Sequence, residues 1–421
     1  MAQGYQHIVG HLNKLLEENT TQDLVKRLSP KGPSLSPRVP GGARISEAAM
    51  ERRWGLINQS GRDTLIDEQT REIAPCYAKN IENFIGTVKV PVGLAGPLKV
   101  NGLFAQGDYY IPLATTEAAL VASYSRGAQL LSAAGGCTAV LLSEGVSRAP
   151  GFVFESVSQV GLFVAWCMEN IETFRMIAES TTAHGKMQDM QVNVEGNHVY
   201  LVFEYQTGDA AGQNMVTIAT HEVCRHIMAQ SPIRPTHYFI EANLSGDKKA
   251  SAQSFQSVRG KKVTAEVYLS AHLIKKYLHT TPQQMVKYWN ISAIGGVLSG
   301  TIGVHGHYAN GLAALYLATG QDVACVAESA VGVTRLEIAD NDTLYASVTL
   351  PNLIVGTVGG GTKLPSQQAA LNILGLNGSG KAQALGEVCA SLALAGELSI
   401  KGAICSNEFT QAHAKLARKE R

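Results

Sequence analysis

Residues 191–205 read QVNVEGNHVYLVFEY. Apolar side chains fall at every second position on both sides of Glu195-Gly196-Asn197. Period-two alternation broken by such a turn predicts a β-hairpin. Its surroundings are mixed. VFESVSQVGLFVAWCMEN (153–170) combines strand and helix character, THEVCRHIMAQS (220–231) has helical spacing, and THYFIEANL (236–244) reads as a strand. Residues 150–239 are therefore expected to form a small α+β module inserted into a larger domain.

That larger domain is expected to be discontinuous, from 51–149 and 240–405. Within it TTEAALVASYSRGAQLL (115–131) has helical spacing, with Leu120, Tyr124 and Leu131 among its apolar positions, and ENFIGTVKVPVGLAGPLKVNG (82–102) is strand-like. From Thr281 onward, stretches rich in Ala, Gly and Leu predict tightly packed helices. Residues 1–50 read as a helix and the Pro/Gly/Ser-rich link LSPKGPSLSPRVPGGAR, and a further helical stretch begins at Ser46. The fold class is α+β: a large helix-rich domain carrying a small α+β insert.

Of 421 residues, 45% are apolar and only 16% charged, with 42 glycines. This suits a large core or extensive subunit interfaces and excludes a disordered chain. A formal net charge of +1 gives no field that would recruit nucleic acid or an acidic membrane. No apolar run approaches the ~20 residues needed to cross a bilayer. The opening MAQGYQHIVGHLNKLLEEN lacks the pattern of a signal peptide. Seven scattered cysteines without a CxxC pair point to free thiols in a cytoplasmic setting and to no metal site.

Three motifs resemble known sites and fall short. GLNGSGKA (375–382) nearly fits a phosphate-binding loop, but Ala382 stands where a hydroxyl is needed, and a Gly-rich turn between helices is favoured. The histidines of HEVCRH (221–226) are five apart, about 140° around a helix, and cannot share a metal. VGGGTK (358–363) says only that backbone approaches something closely, and no GxGxxG supports the usual dinucleotide fold.

Glu117 is the one carboxylate in PLATTEAALVAS (112–123), a segment that otherwise reads as buried. A carboxylate there either points outward or has a partner and a task. Asp209 in GDAAGQNM (208–215), Asp247, Lys248 and Lys249 in NLSGDKKASAQ (243–253), Asp322 in ATGQDVA (318–324) and Arg148 in SEGVSRAPG (143–151) also combine charge with small, flexible surroundings. Singly, each is explained by a turn, a cap or a solvated surface.

Together, and in order, ENFIGTVKVPVGLAGPL, ATTEAALVAS, GDAAGQNM, GDKK, ATGQD, GTVGGGTKLPSQQ and AGELS resemble the soluble catalytic domain of the 3-hydroxy-3-methylglutaryl-CoA reductases, closer to the biosynthetic branch. The resemblance runs from about Glu82 to His413. It implies reduction of a hydroxymethylglutaryl thioester to mevalonate and CoA by two hydride transfers. It also implies that the insert is a ferredoxin-like, non-Rossmann coenzyme module.

By motif position Lys248 would stabilise the oxyanion, Glu117 would supply a proton to the aldehyde, Asp322 would link the two, and His413, on a C-terminal flap of residues 406–421, would protonate the CoA thiolate. The apolar surroundings of Glu117 would raise its pKa, as an acid at neutral pH requires. Arg148 and Asn310 would hold the hydroxymethylglutaryl group, and Ser123 and Arg126 would meet CoA. Asp209, Ala210, Ala211, Gly212, Gln213, Asn214 and Met215, with Thr182, His184 and Lys186, would bind the coenzyme. Ala183 stands where NADPH-using relatives carry an arginine, so NADPH is expected and NADH is the alternative. The resemblance further implies a homodimer or homotetramer with its site at a dimer interface. An altered acyl-CoA substrate and a non-catalytic acyl-CoA- or dinucleotide-binding homologue are the competing readings.

Overall fold

The computed structural model describes residues 5–257 and 259–406. The chain forms two compact units, the first ending at Thr87 and the second starting at Val88. In the first, α1 (Tyr5–Glu18), α2 (Thr21–Leu28), α3 (Glu47–Trp54), α4 (Arg62–Leu65) and α5 (Glu68–Ile73) follow one another. Thr20 and Asp23 close a reciprocal capping box at the start of α2. Met50, Trp54, Ile66, Ala74 and Phe84 make the unit's own core. Arg53 is buried within it and donates to the carbonyls of Pro40 (3.0 Å) and Phe84 (3.1 Å). ENFIG is thereby held as irregular chain, and the strand expected from residue 82 begins only at Val92.

The second unit starts with the hairpin β1 (Val92–Gly102) and β2 (Gln106–Ala114), then α6 (Leu120–Ala133) and β3 (Cys137–Arg148). Next come β4 (Gly151–Val153), α7 (Val157–Glu169), α8 (Ile171–Ser180), β5 (Lys186–Glu195), β6 (His198–Gln206), α9 (Gln213–Gln230) and β7 (His237–Phe239). The expected hairpin is the β5–β6 pair, Glu195 facing His198 across a turn with Gly196 at φ 56°. These strands lie in the order β7-β4-β6-β5, all antiparallel. Phe152, Phe154, Phe163, Phe174 and Phe203 fill a separate core beneath them.

The chain then returns with β8 (Gly260–Leu269), α10 (Ala271–Leu278), α11 (Pro282–Ser299), β9 (Gly303–Val304), α12 (Tyr308–Thr319), α13 (Val326–Ser329), β10 (Gly332–Ala339), β11 (Thr343–Leu353), α14 (Pro365–Ile373) and α15 (Ala382–Cys405). The large part is thus less purely helical than expected, for it carries its own mixed sheet. Strands β3, β8, β11, β10 and β9 are neighbours in that order, and β1 joins β3 in parallel. The β10–β11 hairpin was missed because its turn, Asp340–Asp342, uses left-handed Asn341 and Asp342 instead of glycine. β3 belongs to both sheets. Its first half pairs with β8 and its last residues, Val146 to Arg148, pair with β6.

Helix α15 lies in the middle of the large core and packs on α6, α12, β1, β3, β8 and β11. At 24 residues it is long and apolar enough to cross a bilayer by length and composition only, and 83% of its most apolar window is buried inside the fold. Close approach of α6 requires Gly127, where a Cβ would overlap the Ala395 carbonyl. Nearby, Tyr124 is clasped by Gly311 of α12 and Gly396 of α15, and its hydroxyl accepts the Gly311 N–H at 3.0 Å. Overpacking a contact of this kind costs about 1–3 kcal/mol. Gly127→Ala should lower unfolding free energy by about that amount in a denaturant titration, while Gly295→Ala, in open space on α11, should not.

Candidate active site

The turn 243–249 carries two left-handed non-glycine residues, Asn243 (φ 66°) and Lys248 (φ 56°), with Gly246 (φ 70°) between them. Side chains rarely tolerate this backbone unless something holds it. At Lys248 the holder is Glu328 of α13, whose Oε1 accepts the Lys248 N–H at 3.2 Å. The Lys248 ammonium then reaches the Asp322 carboxylate at 2.7 Å. That hydrogen bond, against some desolvation, raises the Lys248 pKa and keeps it a cation. Asp322 uses its other oxygen to cap the following turn at Ala324 N (3.0 Å), which fixes its rotamer.

Glu117 departs from expectation. The buried run ends at Ala114, α6 starts at Leu120, and Glu117 sits exposed in the turn between them. Its apolar neighbours therefore do not bury it within this chain. Its partner is Asn310, in the first turn of α12, which donates to Glu117 Oε2 at 2.8 Å. Ser123 and Arg126, one turn apart on α6, both reach Ser399 of α15, Ser123 Oγ at 2.9 Å and Arg126 Nη2 to the carbonyl at 2.8 Å. His413 lies outside the described residues.

Arg148, at the end of β3, is almost completely buried. Its Nη1 meets Glu241 (3.1 Å) and Asp247 (3.0 Å), and its Nη2 meets the Gln213 carbonyl (3.4 Å) and side chain (3.3 Å). A second guanidinium, Arg259, shares these partners and was not foreseen. It stands just before β8, fully buried, pairs with Asp247, donates to Gln213 Oε1 at 2.7 Å, and lies 3.0 Å from Glu328 Oε2. Burial pushes the Asp247 carboxyl up, but Arg259 and Arg148 outweigh it and hold the pKa below the ordinary value. For Glu328, burial prevails over Arg259 and raises the carboxyl to about 7. Neither Arg259 nor Glu328 stands in a motif that signals chemistry. The one signal was a charged residue inside an otherwise small, apolar stretch, VACVAESAVGV (323–333).

Residues 208–215 span the loop after β6 and the first residues of α9. Gly212, at φ 77°, precedes the helix, because a Cβ there would overlap the Thr207 side chain. Ala210 accepts the Thr207 hydroxyl at 2.9 Å, and the Ala211 N–H faces Gly356, where a Cβ would be 2.6 Å away. Asn214 is exposed, and Met215 Sδ accepts the Thr182 hydroxyl at 2.9 Å. Thr182 also accepts the N–H of His184 at 3.2 Å, and Lys186 pairs with Glu179 at 2.7 Å. Thr182, His184 and Lys186 thus gather beside the N-terminus of α9. The Asp209 carboxylate turns away from them, to the N-terminus of α15, where it accepts from Gly380 (2.7 Å), Lys381 (3.1 Å) and Ala382 (3.1 Å).

Comparisons with known proteins point to one family. The family model for hydroxymethylglutaryl-coenzyme A reductase matches residues 49–418. Among curated relatives, the 3-hydroxy-3-methylglutaryl-coenzyme A reductase of Aeropyrum pernix is 40% identical over 94% of this chain and 96% of its own length. That of Methanocaldococcus jannaschii is 42% identical over 89% of this chain and 92% of its own, and that of Haloferax volcanii 43% over 89% and 94%. The fold is similar to the class II 3-hydroxy-3-methylglutaryl-CoA reductase from Streptococcus pneumoniae bound to NADPH in open conformations, with a TM-score of 0.64 at 18% identity over 86% of this chain and 100% of that one. The chain is an oxidoreductase. It belongs to the hydroxymethylglutaryl-coenzyme A reductase family.

The raised Glu328 carboxyl makes a stability prediction. A group that holds its proton more tightly folded than unfolded stabilises the fold at low pH and loses that contribution as pH rises through its folded pKa. Unfolding free energy should therefore fall between the ordinary Glu pKa of 4.5 and about 7. Glu328→Gln should flatten this slope, by on the order of a few kcal/mol across the window, in urea titrations at stepped pH.

Proposed function

We propose that the protein reduces (S)-3-hydroxy-3-methylglutaryl-CoA, with two NADPH and two protons, to mevalonate, CoA and two NADP⁺. The family match across residues 49–418, with Lys248 and Asp322 paired at 2.7 Å within it, carries this reading. NADPH supplies the two hydrides. Lys248 stabilises the negative charge that develops on the substrate oxygen, and Asp322 orients its ammonium. Glu117, held by Asn310, delivers the proton for reduction of the aldehyde, and His413 protonates the departing CoA thiolate. Arg148 and Asn310 hold the hydroxymethylglutaryl group, and Ser123 and Arg126 guide CoA.

We assign coenzyme binding to the 150–239 module, whose strand order supports a ferredoxin-like, non-Rossmann arrangement. The residues fit an anionic dinucleotide: the exposed Asn214 stands at the N-terminus of an 18-residue helix, beside the exposed His184 and Lys186. These two basic side chains would take the place of the arginine that Ala183 replaces, which favours NADPH over NADH. The surrounding parts, from 51–149 and 240–405, take the acyl-CoA. An unpartnered apolar stripe on α11, Ile291, Ile294 and Leu298, supports a homo-oligomer in which a second subunit completes the site. Free cysteines support a cytoplasmic setting.

Absorbance at 340 nm with hydroxymethylglutaryl-CoA should fall with NADPH and far more slowly with NADH. Equal rates would remove the assignment of His184 and Lys186. Lys248→Ala should lower kcat by about three orders of magnitude and, because the Lys248–Asp322 pair is half exposed, shift stability by no more than about 1 kcal/mol. Parent-like turnover would remove Lys248 from the mechanism.

A further inference from the structure

GLNGSGKA (375–382) resembles a phosphate loop yet has no place in the reaction described above. The structure explains what it binds. Gly375, Gly378 and Gly380 lie at φ 69°, 94° and 75°, and the turn delivers the chain into α15, a helix of 24 residues. The N–H groups of residues 380–382 converge on one point, as they would on a phosphate. No side chain of this segment caps the helix. The Asp209 carboxylate occupies the point, one oxygen on Gly380 and the other on Lys381 and Ala382.

We infer that residues 375–382 form an internal anion receptor whose ligand is Asp209, and that Asp209 governs coenzyme binding by seating the 208–215 loop, without touching the coenzyme. This rests on the reading of that loop as the coenzyme site. Every other contact of the seat runs the same way. The Asp209 carbonyl accepts the Thr357 N–H at 2.9 Å, and the Thr357 hydroxyl donates to the Gly378 carbonyl at 2.6 Å. Gly356 admits the loop, since a Cβ there would lie 2.8 Å from the Asp209 carbonyl oxygen. GTVG and GSGKA are thus two walls of one slot, with the buried Lys261 ammonium adding positive potential behind it. Burial pushes the Asp209 carboxyl up, but the three amides outweigh it, and the group stays ionised at every pH above the ordinary range for Asp. Asp209 is a positioning residue in this account.

Four variants test it, read by NADPH fluorescence titration and by kcat and KM for both substrates. Asp209→Ala should weaken NADPH binding about tenfold and raise the NADPH KM more than it lowers kcat. Gly380→Ala places a side chain at φ 75° in open space, so it strains the receptor with no other clash, and should have a similar effect. The double variant should be no worse than the weaker single one, because the two changes break one contact. Sulfate, compared with chloride at equal ionic strength, should raise the Tm of Asp209→Ala and not of the parent, by filling the vacated amides. Additive losses in the double variant, or no selective effect of sulfate, would overturn the inference. Asn214→Ala separates it from the underlying reading. If Asn214→Ala weakens NADPH binding and Asp209→Ala does not, the seat is wrong and the coenzyme site stands; if neither does, the coenzyme site is misplaced.

Discussion

Taking the Arg259 guanidinium out of water costs several kcal/mol unless opposite charge and acceptors travel with it. Asp247, Glu328 and Gln213 do so, and each belongs to a different part of the chain. Satisfying one buried cation therefore ties the start of β8 to the 243–249 turn, to α13 and to the first turn of α9. The left-handed backbone of Lys248 follows, since Glu328 has one oxygen toward Arg259 and gives the other to the Lys248 N–H. The position of the Lys248 side chain is thus set through its own backbone N–H. Arg148 meets the same Asp247 and Gln213, so the two buried guanidiniums share one pool of acceptors.

The same solution recurs along α15. Glu387, fully buried, accepts the N–H groups of Leu103, Phe104 and Ala105 in the β1–β2 turn and of Leu141 in β3. Glu397 accepts from Gly306, His307 and Thr334 and pairs with Lys401. At the helix's N-terminus Asp209 does the converse, bringing a carboxylate to the helix's own amides. In each case carboxyl oxygens accept from backbone donors that would otherwise lack partners in a dry interior.

These pairings explain what could and could not be read from the residues. Lys248 and Asp322 stand in short motifs among small residues, and their pairing matches the expectation drawn from those motifs. The hairpin at 191–205 was legible because alternation is a local property. Arg259 and Glu328 were not, because the meaning of a buried charge lies in a partner 69 positions away that no spacing reveals. Glu117 was placed too deep, since apolar neighbours along the chain are not neighbours in space where a turn intervenes. The strands β10 and β11 were overlooked because the alanine- and glycine-rich helices around them dominate the sequence after Thr281, though burial alternates plainly along β10.

The central position of α15 has a consequence for how the protein is made. Synthesis proceeds from the N-terminus, and domains commonly fold as they emerge. Here the strands β1, β3, β8 and β11 all pack on α15, which is translated after every one of them. The contact of Glu387 with Phe104 spans 283 positions of chain. A nascent chain that ends before α15 therefore holds these strands together with α6 and α12 but without the helix that packs on all four of them. Between the translation of β11 and that of α15, the strand faces that α15 covers in the fold have no such partner within the chain.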